Sequence, residues 1–79
     1  MVARVFVTLK AGVLDPAGKA VEGSLHSLGY AEVEGVRLGK YIELQVADGK
    51  PDEVRARVEE MCRKLLANTV VENYRVELG

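Results

Sequence analysis

The chain has 79 residues, of which 48% are hydrophobic, and its aromatic residues are three Tyr and one Phe. A chain of this length forms one domain that buries only about 60% of the surface it exposes when unfolded, so self-association is expected to add to its stability. Eleven basic and 12 acidic residues are mixed along the chain, giving a formal charge of -1, which excludes the basic footprint of a nucleic-acid-binding protein. No apolar run approaches the roughly 18 residues needed to span a bilayer, and one cysteine excludes an internal disulfide. A soluble cytoplasmic protein is predicted.

The first part of the chain predicts a strand followed by a helix. Apolar residues occupy every second position over residues 2–10, which is typical of a half-buried strand. Asp15 is a residue type that accepts hydrogen bonds from the free N–H groups of a first helical turn, and Pro16 suits the first helical position. A helix is therefore predicted from Asp15 to about Leu28, with Gly29 as its C-terminal stop.

The second part predicts a hairpin, a helix and a last strand. Strands over residues 32–38 and 40–47 are expected to pair in a tight hairpin that turns at Gly39. Pro51 opens the second helix, and a final strand is predicted over residues 69–78. The apolar face of the second helix is predicted to consist of Val54, Val58, Met61 and Leu65.

This element order, β-α-β-β-α-β, is the ferredoxin-like pattern of the α+β class, in which an antiparallel sheet carries two helices on one face. No repeat, linker or low-complexity tract interrupts it, so residues 1–79 are predicted to form a single domain. The opposite sheet face is expected to be open. It carries Arg4, Phe6, Thr8, Tyr41, Glu43 and Gln45.

An open sheet face with two aromatic side chains suggests a binding surface. In RRM domains of the same topology, paired aromatics stack RNA bases. Here the strand around Tyr41 lacks the Gly and Phe pattern of those domains and carries the acidic Glu43. RNA binding is therefore the weaker alternative, and a protein partner is favoured.

No residue pattern in the chain predicts catalysis, a cofactor or a metal. Cys62 and His26 stand alone on different predicted helices, which does not provide the three or four ligands of a zinc site. Cys62 is expected to pack in the core, and His26 to face solvent as a partner of Glu22. No phosphate-binding glycine motif is present. Any nucleotide chemistry is therefore expected in a partner.

Two glycines lie inside the first predicted helix, where each costs about 1 kcal/mol relative to Ala. Gly18 and Gly23 either represent tolerated local weakness or allow a second backbone to pack closely. The sequence favours neither explanation.

Three separated motifs occur in order and cover nearly the whole chain. The first is V-L-D-P-x-G, present as residues 13–18, and the second is the dipeptide Gly39-Lys40. The third is M-C-x-x-L-L-A-N-x-x-x-E-x-Y, present as residues 61–74. Together they resemble the PurS family, the small subunit of phosphoribosylformylglycinamidine (FGAM) synthase. Thr69 stands where the family often has Pro, which removes a turn restraint but no chemistry.

The resemblance implies a noncatalytic subunit of the complex that converts formylglycinamide ribonucleotide to FGAM in purine biosynthesis. It implies that dimers of this subunit hold the PurQ glutaminase and the PurL synthetase together and assist ammonia transfer between them. ATP and Mg are then used by PurL, and this chain binds no cofactor. A homodimer or a higher homo-oligomer is expected, without nucleic acid or membrane partners.

Six residues of these motifs at loops or element ends are candidates for the partner interface. They are Asp15, Gly39, Lys40, Asn68, Glu72 and Tyr74. The alternative is structural: Asp15 caps the helix, Asn68 and Gly39 shape turns, and only Lys40 and Glu72 meet a partner.

Two other functions occur on this topology. A small-molecule regulatory module such as an ACT domain often has a D-x-P-G loop after its first strand, whereas this chain reads Asp15-Pro16-Ala17-Gly18. An acylphosphatase needs a glycine-rich phosphate loop with an Arg, which is missing between Lys10 and Ala17.

Overall fold

A computed structural model describes residues 1–79. Three strands and two helices alternate along the chain, and the second helix ends in a π-helical turn. The elements are β1 (Val2–Leu9), α1 (Pro16–Ser27), β2 (Gly39–Gln45), α2 (Pro51–Met61), the π-turn (Cys62–Leu66) and β3 (Glu72–Leu78).

The strands form one antiparallel sheet in the order β2-β1-β3. Val5 at the centre of β1 lies opposite Ile42 of β2 and Val76 of β3. The buried core lies on one sheet face beneath α2 and the π-turn. It consists of Ala3, Val5, Val7, Val58, Cys62, Ala67 and Val76. The α+β class and the antiparallel sheet are thus confirmed, as is the packing of Cys62 in the core.

The π-turn changes which side of the second helix faces the sheet. Val54, Val58, Cys62 and Leu66 pack in or against the core, at intervals of four residues. In an α-helix, residues four apart do not lie directly above one another, so each further residue of such a series lies further around the helix. The π-turn has more residues per turn, which brings Leu66 back towards the core. The predicted apolar face was therefore right for Val54 and Val58. It was wrong for Met61, which is 38% exposed, and for Leu65, which is 83% exposed.

The predicted strand over residues 32–38 does not form, so the sheet has three strands and the hairpin at Gly39 is absent. Instead, this segment runs alongside α1 and is hydrogen-bonded near both of its ends. His26 Nε2 donates to the Val33 carbonyl at 2.7 Å, in place of the predicted pairing with Glu22, and the Leu38 N–H donates to Asp15. The last strand also begins later than predicted, at Glu72, because residues 69–71 form a turn.

We call residues 10–38 the arm. Within it α1 makes no extensive contact with any strand, so only α2 packs on the sheet of its own chain. The radius of gyration is 15.8 Å, whereas a compact domain of this length has about 12 Å. The longest dimension is 48 Å, while eight strand residues span only about 27 Å. The arm therefore extends beyond the end of the sheet.

Candidate functional site

Five of the six candidate residues meet at one end of the sheet, where the arm begins. Gly39 and Lys40 start β2 and Glu72 starts β3, and both strands flank the end of β1. Lys40 Nζ lies 3.9 Å from Glu72 Oε2. Asp15 and Asn68 lie in the segments that connect to these strand ends. The structure thus brings motif residues from distant parts of the sequence to the base of the arm.

Asp15 joins the two halves of the arm. Its Oδ1 accepts from the Gly18 N–H at 2.9 Å, which confirms the predicted helix cap, and its Oδ2 accepts from the Leu38 N–H at 3.0 Å. The hydrogen bond from Gly18, followed by that from Leu38, holds the pKa of Asp15 below its usual value. The residue is only 8% exposed. Its carboxylate is therefore occupied in holding the fold, and its interface role stays a prediction.

Arg37 fixes the same junction from the segment of the arm that connects α1 to β2. Its Nη2 donates to the carbonyls of Leu9 and Lys10 at 2.9 Å, and its Nη1 donates to Val13 at 3.5 Å. The sequence analysis missed this residue. A guanidinium that binds main-chain carbonyls depends on a loop conformation that no spacing rule describes. Its only sequence signal is a cation next to the Leu38-Gly39-Lys40 segment.

Two glycines allow close backbone approach at this junction. A Cβ on Gly18 would lie 2.5 Å from the Val36 carbonyl oxygen, and one on Gly39 would collide with the Val7 carbonyl oxygen. Gly23 has open space at the same position. Close packing therefore explains Gly18 but not Gly23.

The turn that precedes β3 is held by hydrogen bonds in both directions. Glu72 Oε1 accepts from the Asn68 N–H at 2.7 Å, and the Glu72 N–H donates to the Asn68 carbonyl at 2.7 Å. Asn68 Oδ1 accepts from the Val70 N–H at 3.2 Å. Asn68 therefore shapes the turn, as the structural alternative expected, while Lys40 is exposed beside it.

Tyr74, the sixth candidate, lies one strand away from Lys40, since both residues pair with Val7 of β1. It sits opposite Val7, on the core side of the sheet, and packs against the core. Its hydroxyl accepts from Arg63 Nη1 of the π-turn at 3.3 Å. Tyr74 therefore links the sheet to the π-turn.

The opposite sheet face is uncovered within the chain and holds an ordered row of side chains. The rings of Phe6 and Tyr41 lie 5.2 Å apart between centroids, and the Arg75 guanidinium lies 4.4 Å from the Phe6 centroid. An aromatic pair and a cation–π contact each contribute roughly 0.5–1 kcal/mol, so the three side chains hold one another in place.

The structure groups no three His, Cys, Asp or Glu side chains in a position to hold a metal ion. Cys62 is fully buried, and burial raises the pKa of its thiol, which disfavours the reactive thiolate. Neither helix has the length and apolar character required to cross a membrane.

Comparison with known proteins identifies similar chains. A family model described as PurS, phosphoribosylformylglycinamidine (FGAM) synthase, matches residues 2–79. The PurS subunit of phosphoribosylformylglycinamidine synthase from Bacillus subtilis is 53% identical over 75 residues, which cover 95% of this chain and 88% of that protein.

Solved structures agree in fold. A crystal form of Bacillus subtilis PurS matches with a TM-score of 0.84 at 53% identity, covering 96% of this chain and 94% of that one. A chain in the structure of PurLQS from Thermotoga maritima matches with a TM-score of 0.84 at 32% identity, covering 98% and 96%.

Proposed function

Since the chain belongs to the PurS family of FGAM synthase subunits, we propose that it is the noncatalytic small subunit of such an enzyme, joining a PurQ glutaminase to a PurL synthetase. The single observation that supports this most is the match along nearly its whole length to a chain of the PurLQS structure. The match of the family over residues 2–79 leaves no feature that favours the ACT-like alternative.

The physical task of such a subunit is to keep ammonia usable. Ammonia released by a glutaminase is largely protonated in water at neutral pH and then cannot attack. A protein that holds two active sites together and excludes water between them preserves the nucleophile. In this proposal PurL binds ATP and Mg, this chain binds neither, and the three subunits meet in the cytoplasm, where purine precursors are made.

Reconstitution tests the coupling role. The chain is added to PurL and PurQ from the same organism with Mg, ATP and formylglycinamide ribonucleotide, and product formation is compared with glutamine and with ammonium chloride. We expect glutamine-dependent turnover only when the chain is present, and ammonia-dependent turnover by PurL with or without it. Equal glutamine-dependent rates in the presence and absence of the chain would contradict the proposal.

The arm and the sheet also support self-association. The apolar residues of α1 find little cover within the chain: Val21 is 37% exposed and Leu28 is 73% exposed. On the core side of the sheet, an apolar groove of about 280 Å³ lies between the end of β2 and α2, lined by residues that include Val46, Val54 and Met61. In a ferredoxin-like fold the first helix packs beside the second on this face.

We infer that α1 of a second copy occupies this groove, and that the exchange is reciprocal in a two-fold dimer. Sedimentation of Leu28→Glu tests the inference, because a charge at this exposed position opposes burial against the partner without disturbing the single chain. Ser27→Glu adds the same charge to the neighbouring position. We expect Leu28→Glu to sediment as a monomer and Ser27→Glu to retain the assembly of the unaltered chain. An unaltered chain that stays monomeric at all concentrations would refute the exchange.

A further inference from the structure

The outer side of β2 carries main-chain hydrogen-bonding groups that no other part of the chain covers. The Val46 N–H donates to the Met1 carbonyl at 2.9 Å, which sets the alternation along the ladder, so the even-numbered residues of β2 bond to β1. Tyr41, Glu43 and Gln45 therefore direct their N–H and C=O groups away from β1, where these groups have no partner. We call this side of β2 the free edge. Such an edge is a template for a further strand.

The segment before β2 also has free main-chain groups. Residues 33–38 contain neither a turn nor a bend and continue directly into β2. The Val33 carbonyl and the Leu38 N–H bond to side chains of the arm, whereas the main-chain groups of residues 34–37 have no partner in the chain. Another strand can therefore pair with residues 34–37 without breaking these hydrogen bonds.

The dimensions of the molecule match a pairing between two copies. Extended residues advance about 3.4 Å each, so residues 33–45 span about 44 Å, and the longest dimension of the molecule is 48 Å. Six of these residues lie beyond the sheet and seven form β2. A two-fold axis beside Gly39 thus places residues 33–38 of each copy along β2 of the other, antiparallel and with nearly equal lengths.

We propose that residues 33–38 of a second copy pair with the free edge as a fourth strand, with Gly35 of one copy opposite Glu43 of the other. In this register odd-numbered residues lie opposite odd-numbered residues, as the direction of the free-edge groups requires. Val36 then lies opposite Ile42, and both are half-buried apolar residues. The pairing therefore extends the apolar core side of the sheet.

This pairing deepens the α1 exchange inferred above and rests on it. The groove that receives α1 lies between α2 and the end of β2, beside the free edge. Since α1 and residues 33–38 belong to the same arm, one arm supplies both a helix and a strand to the partner. A ferredoxin-like fold has a helix and a strand at these two positions.

Direct pairing of the two β2 edges is the competing arrangement. Centred on Glu43, it would place two like charges opposite each other, which destabilises a strand pair. It would also leave residues 34–37 without partners. The β3 edge is covered in part, because Arg55 Nη1 donates to the Val76 carbonyl at 2.8 Å. The arm of a second copy is therefore the occupant that fits the free edge.

Disulfide trapping tests the register. In one extended chain Gly35 and Glu43 lie about 27 Å apart, whereas in the proposed pairing their Cα atoms lie about 5.5 Å apart, within reach of a disulfide. The double variant Gly35→Cys with Glu43→Cys is oxidised beside both single variants. The control is Gly35→Cys with Asn73→Cys, because Asn73 is exposed on the other edge strand, β3. All variants retain Cys62, which is fully buried.

We expect only the double variant Gly35→Cys with Glu43→Cys to form a covalent dimer on a non-reducing gel. Cross-linking of Glu43→Cys alone would overturn the proposal, because β2 would then pair with β2. If the unaltered chain sediments as a dimer and the double variant does not cross-link, the pairing fails while the α1 exchange stands. If the unaltered chain is a monomer, both fail.

A second pair of variants tests the main-chain hydrogen bonds. Glu43→Pro removes an N–H from the free edge without touching the ladder to β1, and Glu43→Thr removes the same side chain but retains the N–H. Two bonds are lost per dimer, so Glu43→Pro is expected to raise the dissociation constant at least about tenfold and Glu43→Thr to stay within about twofold. Equal constants would overturn the pairing. Reconstitution with PurL and PurQ measures the coupling role separately.

Discussion

Gly18 and Gly23 both lie inside α1, but only Gly18 is closely packed. A Cβ at Gly18 meets the Val36 carbonyl at 2.5 Å and the Asp15 carboxylate at 2.6 Å, and a Cβ at Gly23 meets nothing within 4 Å. Gly18→Ala is expected to destabilise the protein by roughly 1–3 kcal/mol through overpacking. Gly23→Ala is expected to stabilise it by about 0.5–1 kcal/mol through helix propensity. Urea unfolding of the two variants measures both, and equal effects would contradict the close approach of the Val36 backbone.

The Asp15 carboxylate makes the stability of the arm depend on pH. Its pKa is lower in the folded chain because the N–H groups of Gly18 and Leu38 stabilise the charged form. The stabilisation is therefore present above the unfolded value of about 3.9 and is lost as pH falls through the lower folded value. Asp15→Asn should lower the melting temperature at neutral pH, and the difference in melting temperature from the unaltered chain should shrink below about pH 4.

Thermal melts from pH 7 to pH 2 check this prediction. Asp52→Asn is the matched control, since Asp52 is exposed in the first turn of α2 and accepts no side-chain hydrogen bond in the structure. If the melting-temperature difference between Asp15→Asn and the unaltered chain is the same at every pH, the ionised carboxylate of Asp15 does not stabilise the fold as proposed.

At the scale of the elements, the π-turn decides which of two adjacent leucines stabilises the protein. Leu66 packs against the core, whereas Leu65 is 83% exposed. Leu66→Ala is expected to cost roughly 2 kcal/mol of unfolding free energy. Leu65→Ala is expected to change it by less than about 0.5 kcal/mol. A helix without the π-turn predicts the reverse order, so urea denaturation of the two variants discriminates between the two geometries.

For the whole molecule, an arm that lies off its own sheet makes stability depend on concentration. A dimer that exchanges α1 unfolds to two chains, so higher concentration favours the folded state by mass action. With the usual unfolding enthalpy per residue, the melting temperature of such a dimer rises by roughly 5 °C for each tenfold increase in concentration. Calorimetry across a hundredfold range measures this. A melting temperature independent of concentration would show that one chain is stable without exchange.

Local patterns were sufficient for most of the elements. Alternation predicted β1, Asp15 and Pro16 predicted the start of α1, and Pro51 predicted the start of α2, because strand periodicity and helix caps depend on neighbouring residues. The α+β class followed from the order of these elements. The motifs in residues 13–18 and 61–74 indicated the family that the comparison then established.

The sequence by itself thus determined the helices, the three strands that form, the antiparallel sheet and the family. Only the tertiary structure decided that residues 32–38 lie alongside α1 instead of joining the sheet. It also decided that Arg37 binds three main-chain carbonyls, and that Leu66 rather than Leu65 faces the core. These outcomes depend on backbone groups distant in sequence, which compete for the same hydrogen bonds and the same core volume. A local pattern does not contain the result of that competition.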